Sequence, residues 1–167
     1  MASLTVASPL GPLTVDEAGG AIVSLTFGGG GGGEGQATPL LHEAAAELAD
    51  YFAGRRRDFS LPLAPAGTAF QRALWQALCT IPYGTVRTYS ELARRLGSVP
   101  RAIGGACGRN PIPIIIPCHR VVAAKSLGGF SGGEGLATKC LLLRLESPDL
   151  LSGIQAQMGR SRKSQHS

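Results

Sequence analysis

The reactive side chains of this sequence concentrate in one short stretch, where Cys118, His119 and Arg120 follow an isoleucine-rich segment. A cysteine attacks as its thiolate, and neighbouring basic groups favour that form. His119 could take the thiol proton, and Arg120 could stabilise the charge that remains. Most buried cysteines are inert parts of a core, so the adjacent basic residues are what make Cys118 a candidate nucleophile.

A histidine that acts as a base is commonly oriented by a carboxylate. Glu146 is the first candidate, because it ends an apolar run at 141–145 that predicts a C-terminal helix. Glu91 and Glu134 are the alternatives. These residues by themselves predict an activated cysteine with a histidine base, and they leave the identity of the orienting carboxylate open.

The other cysteines, Cys79, Cys107 and Cys140, form no CxxC pair with each other or with Cys118. Neither a disulfide framework nor a zinc site is therefore indicated, and we expect free thiols in a reducing compartment. We interpret these three cysteines as structural or incidental.

A pair of helices is predicted just before the reactive stretch. Thr88 or Ser90 caps a short helix that Gly97 ends, and Ser98 caps a second helix over 99–108. Helix, glycine-containing turn and helix is the helix-turn-helix pattern. Many helix pairs turn in this way without touching DNA, so the pattern alone does not establish a nucleic-acid partner.

The second of these helices carries two consecutive glycines, Gly104 and Gly105. Each glycine costs a helix about 1 kcal/mol, so the pair needs a reason. One reason is core packing against a close neighbour, and the other is close approach of the backbone to a bulky partner such as a nucleic-acid groove. Arg101 at the start of the helix favours the second reason.

The residues that precede this region predict a smaller sheet-and-helix unit. Short antiparallel strands are expected near 4–6, 13–15 and 21–27, followed by a six-glycine surface loop at 28–33 and an amphipathic helix over 38–54. Residues 61–65 are expected to form an extended linker. Thr68 is placed to cap a helix that ends at Leu78.

Charge divides the chain into three segments. Residues 1–66 hold three arginines against seven acids, residues 67–148 hold ten basic residues against three acids, and residues 149–167 add two net positive charges, which gives the overall +5. The asymmetry favours a polyanionic partner for the middle segment, although a solvated basic face would show the same pattern.

Hydrophobic residues make up 44% of the chain, which is enough for a core and argues against global disorder. No apolar run is long enough for a membrane span and no secretory signal is visible, so we expect a cytoplasmic protein, associated with the nucleoid in a bacterium or nuclear in a eukaryote.

The motif IPCHRVV, at 116–122, is similar to the active-site signature of the O6-alkylguanine-DNA alkyltransferases, also called methylated-DNA–protein-cysteine methyltransferases. FQRALWQAL, IPYGTVRTYSELA, RAIGGACGRNPIP, GGFSGG and LLLRLE resemble further family motifs, in the family's order and near its spacing, over residues 70–146. The resemblance implies an α+β fold. A variable N-terminal lobe (1–66) precedes a mainly helical domain (67–148) with a winged helix-turn-helix-like core, and a basic tail (149–167) follows.

The resemblance also implies a chemistry. Cys118 takes the alkyl group from O6 of guanine in one irreversible step, after the base is flipped out of the duplex. His119 deprotonates it through a water, Glu146 holds His119, and Asn110 braces the turn before the active-site loop. No metal or cofactor is implied.

DNA contacts are carried over in the same way. Arg101 matches an arginine that fills the gap left by the flipped base, and Tyr89 matches a tyrosine that crowds the backbone phosphate. Phe130 and Ser131 resemble a loop that closes over the base. The remaining substrate and DNA candidates are Gly104, Gly105, Arg109, Val121 and Lys139. The implied partner is double-stranded DNA containing O6-alkylguanine, with O4-alkylthymine as a second candidate, bound by a monomer away from membranes.

Three other functions fit parts of the sequence. A non-catalytic binder of alkylated DNA shares this fold but replaces the acceptor cysteine, whereas Cys118 is present here. A helix-turn-helix regulator would not need the PCHR motif, and a thiol hydrolase would not need a basic lobe.

Overall fold

The computed structural model describes residues 1–29 and 37–150. Its strands are β1 (Ala2–Val6), β2 (Leu13–Ala18), β3 (Ala21–Phe27), β4 (Arg87–Thr88) and β5 (Val121–Val122). Its α-helices are α1 (Pro39–Phe52), α2 (Ala69–Leu78), α3 (Tyr89–Leu96), α4 (Pro100–Gly108) and α5 (Leu136–Glu146), and a 3-10 helix spans Cys118–Arg120. The predicted α+β class is confirmed. Most of the six-glycine loop and the predicted tail from residue 151 onwards lie outside the described residues.

The N-terminal unit is an antiparallel sheet in the order β1-β2-β3, covered by α1. Leu13 and Val15 alternate inward on β2, as a sheet with one buried face requires. The extended segment near residue 63 is more than the linker we expected, because it pairs in parallel with β3. The Ile22 amide donates to the Pro62 carbonyl at 2.8 Å, and this pairing ties the segment to the sheet.

Two of the predicted helix caps are confirmed. The Thr68 hydroxyl accepts from the Gln71 amide at 3.1 Å at the start of α2, and the Gln71 side chain accepts from the Thr68 amide in return. This reciprocal pair is a capping box. The Thr88 hydroxyl, rather than that of Ser90, caps α3 by accepting from the Glu91 amide at 3.1 Å.

The predicted Ser98 cap of α4 is wrong. Val99 occupies the cap position and makes no side-chain hydrogen bond there, and Pro100 begins the helix. Ser98 belongs to the end of the preceding helix. Gly97 adopts the left-handed backbone conformation there, and the Ser98 amide donates to the Ala93 carbonyl at 2.8 Å. Proline presets the backbone angle of a first helical residue, so α4 starts without a side-chain cap.

The two units share one core. The Leu25 amide of β3 donates to the Pro111 carbonyl at 2.9 Å, which fastens the sheet to the segment that follows α4. Trp75 is buried on α2, and its indole nitrogen donates to the Ala106 carbonyl of α4 at 3.0 Å. β4 pairs in parallel with β5, directly after the 3-10 helix. These links hold the reactive stretch between the helix pair and the sheet. None of the described helices is both long and apolar enough to cross a membrane.

Candidate active site

A braced turn leads into the reactive stretch. The Asn110 side chain accepts from the Ile112 amide and donates to the Ile116 carbonyl, both at 2.9 Å, so one amide group closes the turn at both ends. Within it Ile114 adopts a left-handed backbone with φ of 74°, which is strained for a β-branched residue. The surrounding isoleucines are buried, and their packing offsets this strain.

Cys118 begins the 3-10 helix and is buried. Burial raises the pKa of its thiol, while hydrogen bonding by the Asn110 side chain and the charge of Lys139 act in the opposite direction. The thiol is therefore protonated at rest. Our expectation that His119 and Arg120 stabilise a thiolate is not met, because both side chains are directed to Glu146 instead.

Glu146, at the end of α5, is the carboxylate that contacts His119. Its Oε2 lies 2.6 Å from His119 Nε2 and 3.1 Å from Arg120 Nη2, and its Oε1 lies 2.8 Å from Arg120 Nε. Arg120 also donates to the Ile81 carbonyl at 2.7 Å. The alternatives, Glu91 and Glu134, are exposed on α3 and on the loop before α5, so the open choice among three carboxylates resolves to Glu146.

Charge and tautomer in this cluster follow from its hydrogen bonds. Burial would raise the pKa of Glu146, but His119 and Arg120 outweigh it and lower that pKa to about 2. Burial lowers the pKa of His119 despite the neighbouring carboxylate, so the imidazole is neutral. An ionised carboxylate only accepts, so Nε2 must carry the ring proton. Nδ1 is left as the basic nitrogen, buried and without a hydrogen-bond partner within the described parts of the chain.

A cavity of about 810 Å³ opens in front of Cys118. Phe130 and Ser131 line it, where the resemblance implies a loop over the flipped base. Tyr89 lines it as well, although the resemblance implies that this tyrosine crowds the backbone phosphate. Sequence reasoning missed two further parts of the wall. These are the end of β3 (Ser24, Leu25, Thr26 and Phe27) and a second thiol, Cys107. No sequence signal marks either of them, because only the folded chain brings the sheet and α4 to Cys118.

Lys139 lies behind this wall and is fully buried. Its ammonium donates to the carbonyls of Val121 at 2.6 Å and Gly129 at 3.0 Å, and it lies 6.0 Å from the centre of the Tyr89 ring. Burial lowers the pKa of Lys139 to about 8, against the effect of Cys118 and the other nearby thiols. Val121 and Lys139 are thus close to the site without lining its cavity.

The glycine-rich face of α4 is open. A side chain built at Gly105 would meet nothing within 4 Å, and one at Gly104 would make only an ordinary contact with Tyr89 at 3.8 Å. Close packing against a neighbouring part of the described chain therefore does not account for the glycine pair. Arg101 and Arg109 are exposed at the two ends of the helix, outside the cavity lining.

Comparison with family models covers most of the chain. The model described as 6-O-methylguanine DNA methyltransferase, DNA binding domain, matches residues 69–148, and the model for the ribonuclease-like domain of the same name matches residues 2–65. A methylated-DNA–protein-cysteine methyltransferase of Methanosarcina barkeri is 50% identical over 114 residues, which are 66% of this chain and 71% of the relative. One of Mycobacterium leprae is 41% identical over 155 residues, covering 88% and 93%.

Solved structures agree with this result. The O6-methylguanine methyltransferase of Mycobacterium tuberculosis superposes with a TM-score of 0.75 at 38% identity, covering 88% of this chain and 93% of that one. A Mycobacterium tuberculosis OGT structure in complex with DNA gives a TM-score of 0.76 at 38% identity, covering 86% and 92%. Both likenesses extend over the sheet and the helical domain together.

Proposed function

The chain belongs to the 6-O-methylguanine DNA methyltransferase family, whose members repair DNA by alkyl transfer to a protein cysteine, and we propose that Cys118 is its acceptor. The proposed substrate is O6-alkylguanine in duplex DNA. One observation supports this assignment above the others. Cys118 lines the large cavity and directly precedes His119, whose neutral imidazole has Glu146 on one nitrogen and a basic lone pair on the other.

The proposed reaction is a single displacement. His119 Nδ1 takes the thiol proton of Cys118, through a bridging water as the family resemblance implies. The sulfur then attacks the alkyl carbon, and the new S–C bond forms as the C–O6 bond breaks. The bonding electrons return to guanine, which stays in the DNA and takes up one proton, while the imidazolium of His119 releases to solvent the proton that it took from Cys118. Glu146 stabilises the imidazolium that forms, in the way a carboxylate does in other histidine-based sites. The thioether is stable, so each molecule reacts once.

The target atom lies inside the duplex, so the modified base must rotate out to reach Cys118. A cavity of about 810 Å³ is within the range of pockets that hold small molecules. Tyr89 and Phe130 supply aromatic surfaces for a flat base, and Ser131 supplies polar groups at the same wall. We infer that the cavity receives the flipped alkylguanine.

The proposed DNA surface is the open face of α4. Gly104 and Gly105 allow the backbone to come close to a groove, while Arg101 and Arg109 flank them. Damage occurs in any sequence, so contacts to phosphates should dominate over base-edge contacts. Binding should therefore weaken steeply with salt. The residues of one chain complete the site, and we propose that the protein acts as a monomer.

Mass measurement tests the acceptor assignment. We would mix the protein with a duplex carrying one O6-methylguanine and measure the intact and peptide masses. We expect one methyl group per molecule, on the peptide that contains Cys118, and none with Cys118→Ala. A methyl group on the Cys107 peptide would contradict the assignment. Preferential binding of the damaged duplex without any transfer would instead identify a damage-recognition protein.

A second experiment tests the DNA surface. In a Cys118→Ala background, Arg109→Ala should reduce the slope of log affinity against log salt by about 1, as loss of one phosphate contact does. Arg55→Ala is the matched control, because Arg55 is exposed in the acidic N-terminal segment and pairs with Asp50. Equal effects of the two substitutions would mean that α4 is not the surface that binds DNA.

A further inference from the structure

The N-terminal unit contributes a side chain to the catalytic cluster. Tyr51, on α1, is fully buried, and its hydroxyl donates to Glu146 Oε2 at 2.6 Å. The same oxygen accepts from His119 Nε2 at 2.6 Å and from Arg120 Nη2 at 3.1 Å. Three donors therefore share one carboxylate oxygen, and one of them comes from the sheet-and-helix unit, 95 residues away in sequence.

Aromatic neighbours fix the Tyr51 ring. Phe52 and Phe59 each lie 5.3 Å from it between ring centroids, and Tyr83 packs edge-on at 6.2 Å. Burial and the charge of Glu146 raise the pKa of the Tyr51 hydroxyl, so it remains a donor throughout the working range. A rigid ring with a permanently protonated hydroxyl is a fixed constraint on the carboxylate.

We propose that Tyr51 is a positioning residue for alkyl transfer, which holds Glu146 Oε2 in line with His119 Nε2 and limits how much negative charge that oxygen offers to the imidazole. The inference rests on the proposed function of Cys118 and His119. It gives the N-terminal unit a part in the chemistry besides its part in the core. Tyr51 touches neither the substrate nor the reacting atoms, and it acts through Glu146.

The sign of the effect follows from the shared oxygen. Without the Tyr51 hydroxyl, Oε2 offers more of its charge to His119, which stabilises the imidazolium and raises its pKa. Transfer needs neutral His119, so the acid-side midpoint of the rate against pH should move upward. The charged and titratable groups that act on this carboxylate and imidazole are Tyr51, Tyr83, Arg120 and Lys139, and Arg57 lies over the Tyr83 ring. The substitution Tyr51→Phe removes the hydroxyl of Tyr51 alone and keeps its ring and the other groups in place.

The test is a pH profile of the single-turnover methyl transfer rate at saturating damaged duplex. We expect Tyr51→Phe to move the acid-side midpoint up by about half to one pH unit and to slow transfer about threefold to tenfold. The duplex concentration that gives half the maximal rate should not change. Tyr83→Phe is the matched control, since it removes a hydroxyl from the same aromatic cluster that bonds the Leu145 carbonyl at 3.3 Å rather than the carboxylate. Its midpoint should equal that of the wild type.

A second variant guards against a folding defect in Tyr51→Phe. 3-Fluorotyrosine introduced at position 51 alone keeps the shape and makes the hydroxyl a stronger donor, so the midpoint should move downward. An unmoved midpoint in both variants, or an equal shift in Tyr83→Phe, would overturn the inference while leaving the acceptor assignment intact. Absence of methyl transfer in the wild type would overturn both.

Discussion

Two buried side chains of opposite charge, Lys139 and Glu146, lie on the same helix about two turns apart. They differ in the hydrogen-bond partners and charges that surround them. Glu146 accepts hydrogen bonds from cationic Arg120, from His119, from the Tyr51 hydroxyl and from the Gly84 amide at 3.3 Å. Among the described residues, Lys139 contacts the carbonyls of Val121 and Gly129 and the face of an aromatic ring. Burial acts against both charges, and within the same residues a counter-ion compensates for it at Glu146 but not at Lys139.

Glu146 therefore keeps its charge over the whole working pH range, and we call it the fixed charge. Lys139 titrates close to that range, and we call it the poised charge. The pKa of Glu146 is lowered to about 2, so the carboxylate behind Cys118 is ionised at every working pH. The pKa of Lys139 is lowered to about 8, so the ammonium that joins Val121 to the cavity loop is close to losing its proton. Helix α5 therefore places a permanent charge beside His119 and Arg120 and a titratable charge behind the cavity wall.

The largest expected effect comes from removing the fixed charge. Glu146→Gln leaves the buried Arg120 guanidinium without a counter-ion, and it places an amide where His119 and Tyr51 need an acceptor. Loss of one partner of a buried ion pair costs about 3–5 kcal/mol. We expect a fall of that size in the free energy of unfolding and a loss of transfer rate of about a hundredfold or more.

Chemical denaturation and single-turnover assays measure the two effects. Glu134→Gln is the control, because Glu134 is exposed on the loop before α5 and makes no salt bridge within the described residues. A Glu146→Gln protein as stable and active as the control would mean that the cluster is not the proton-transfer machinery.

The poised charge of Lys139 should make the free energy of unfolding increase as the pH rises above about 8. Between about pH 8 and 10.5 the unfolded chain keeps the Lys139 proton while the folded chain has lost it, so unfolding takes up a proton and stability increases with pH. The shift corresponds to about 3 kcal/mol. Lys139→Met should abolish this contribution.

The measurement is the difference in the free energy of unfolding between the wild type and Lys139→Met across pH 7–10.5. Groups that do not interact with Lys139 cancel in this difference, whereas Cys107 and Cys118, whose pKa Lys139 lowers, contribute to it together with Lys139. The difference should change by about 3 kcal/mol in favour of the wild type as the pH rises. A flat difference would show that Lys139 keeps its ordinary pKa in the folded state.

The fixed charge of Glu146 predicts a second pH dependence, in which folding stability falls in acid. The folded-state pKa of Glu146 is below its unfolded value, so its contribution of about 3 kcal/mol is complete above pH 4.5 and is lost as the pH falls through 2. The stability difference between wild type and Glu146→Gln should shrink by that amount between pH 5 and 2. Equal acid sensitivity of the two proteins would contradict the pairing seen in the structure.

The sequence predicted the local parts of this arrangement well. Thr68 and Thr88 cap their helices through hydrogen bonds to residues three positions on, and such contacts can be derived from spacing. Glu146 was the first candidate for the carboxylate because the apolar run before it indicates a helix that ends there. Ser98 failed as a cap because α4 begins one residue later than predicted, with Val99 at the cap position and Pro100 as its first residue.

Contacts between distant segments could not be predicted in this way. Tyr51 looked like one more apolar residue of an amphipathic helix, and only the packing of α1 against the helical domain brings it to Glu146. Arg120 looked like a thiolate partner because it is near Cys118 in sequence, whereas the 3-10 turn directs it away. The left-handed Ile114 runs against the preference of a β-branched residue, so no local rule would have placed it there.

The smallest expected effect perturbs the substrate side alone. Gly128 has a φ of +74°, and a side chain there would lie 2.6 Å from the Tyr89 hydroxyl. Gly128→Ala should cost about 1–2 kcal/mol of backbone strain and displace Tyr89, which slows transfer. Gly129→Ala is a stringent control, because its side chain would meet nothing within 4 Å and should change stability by less than about 0.5 kcal/mol. The hydrogen-bonded cluster around Glu146 can be independent of the loop that carries Gly128 and Gly129. In that case the acid-side midpoint of the transfer rate against pH stays unchanged in both variants. A shifted midpoint in Gly128→Ala would show that the two ends of α5 are coupled.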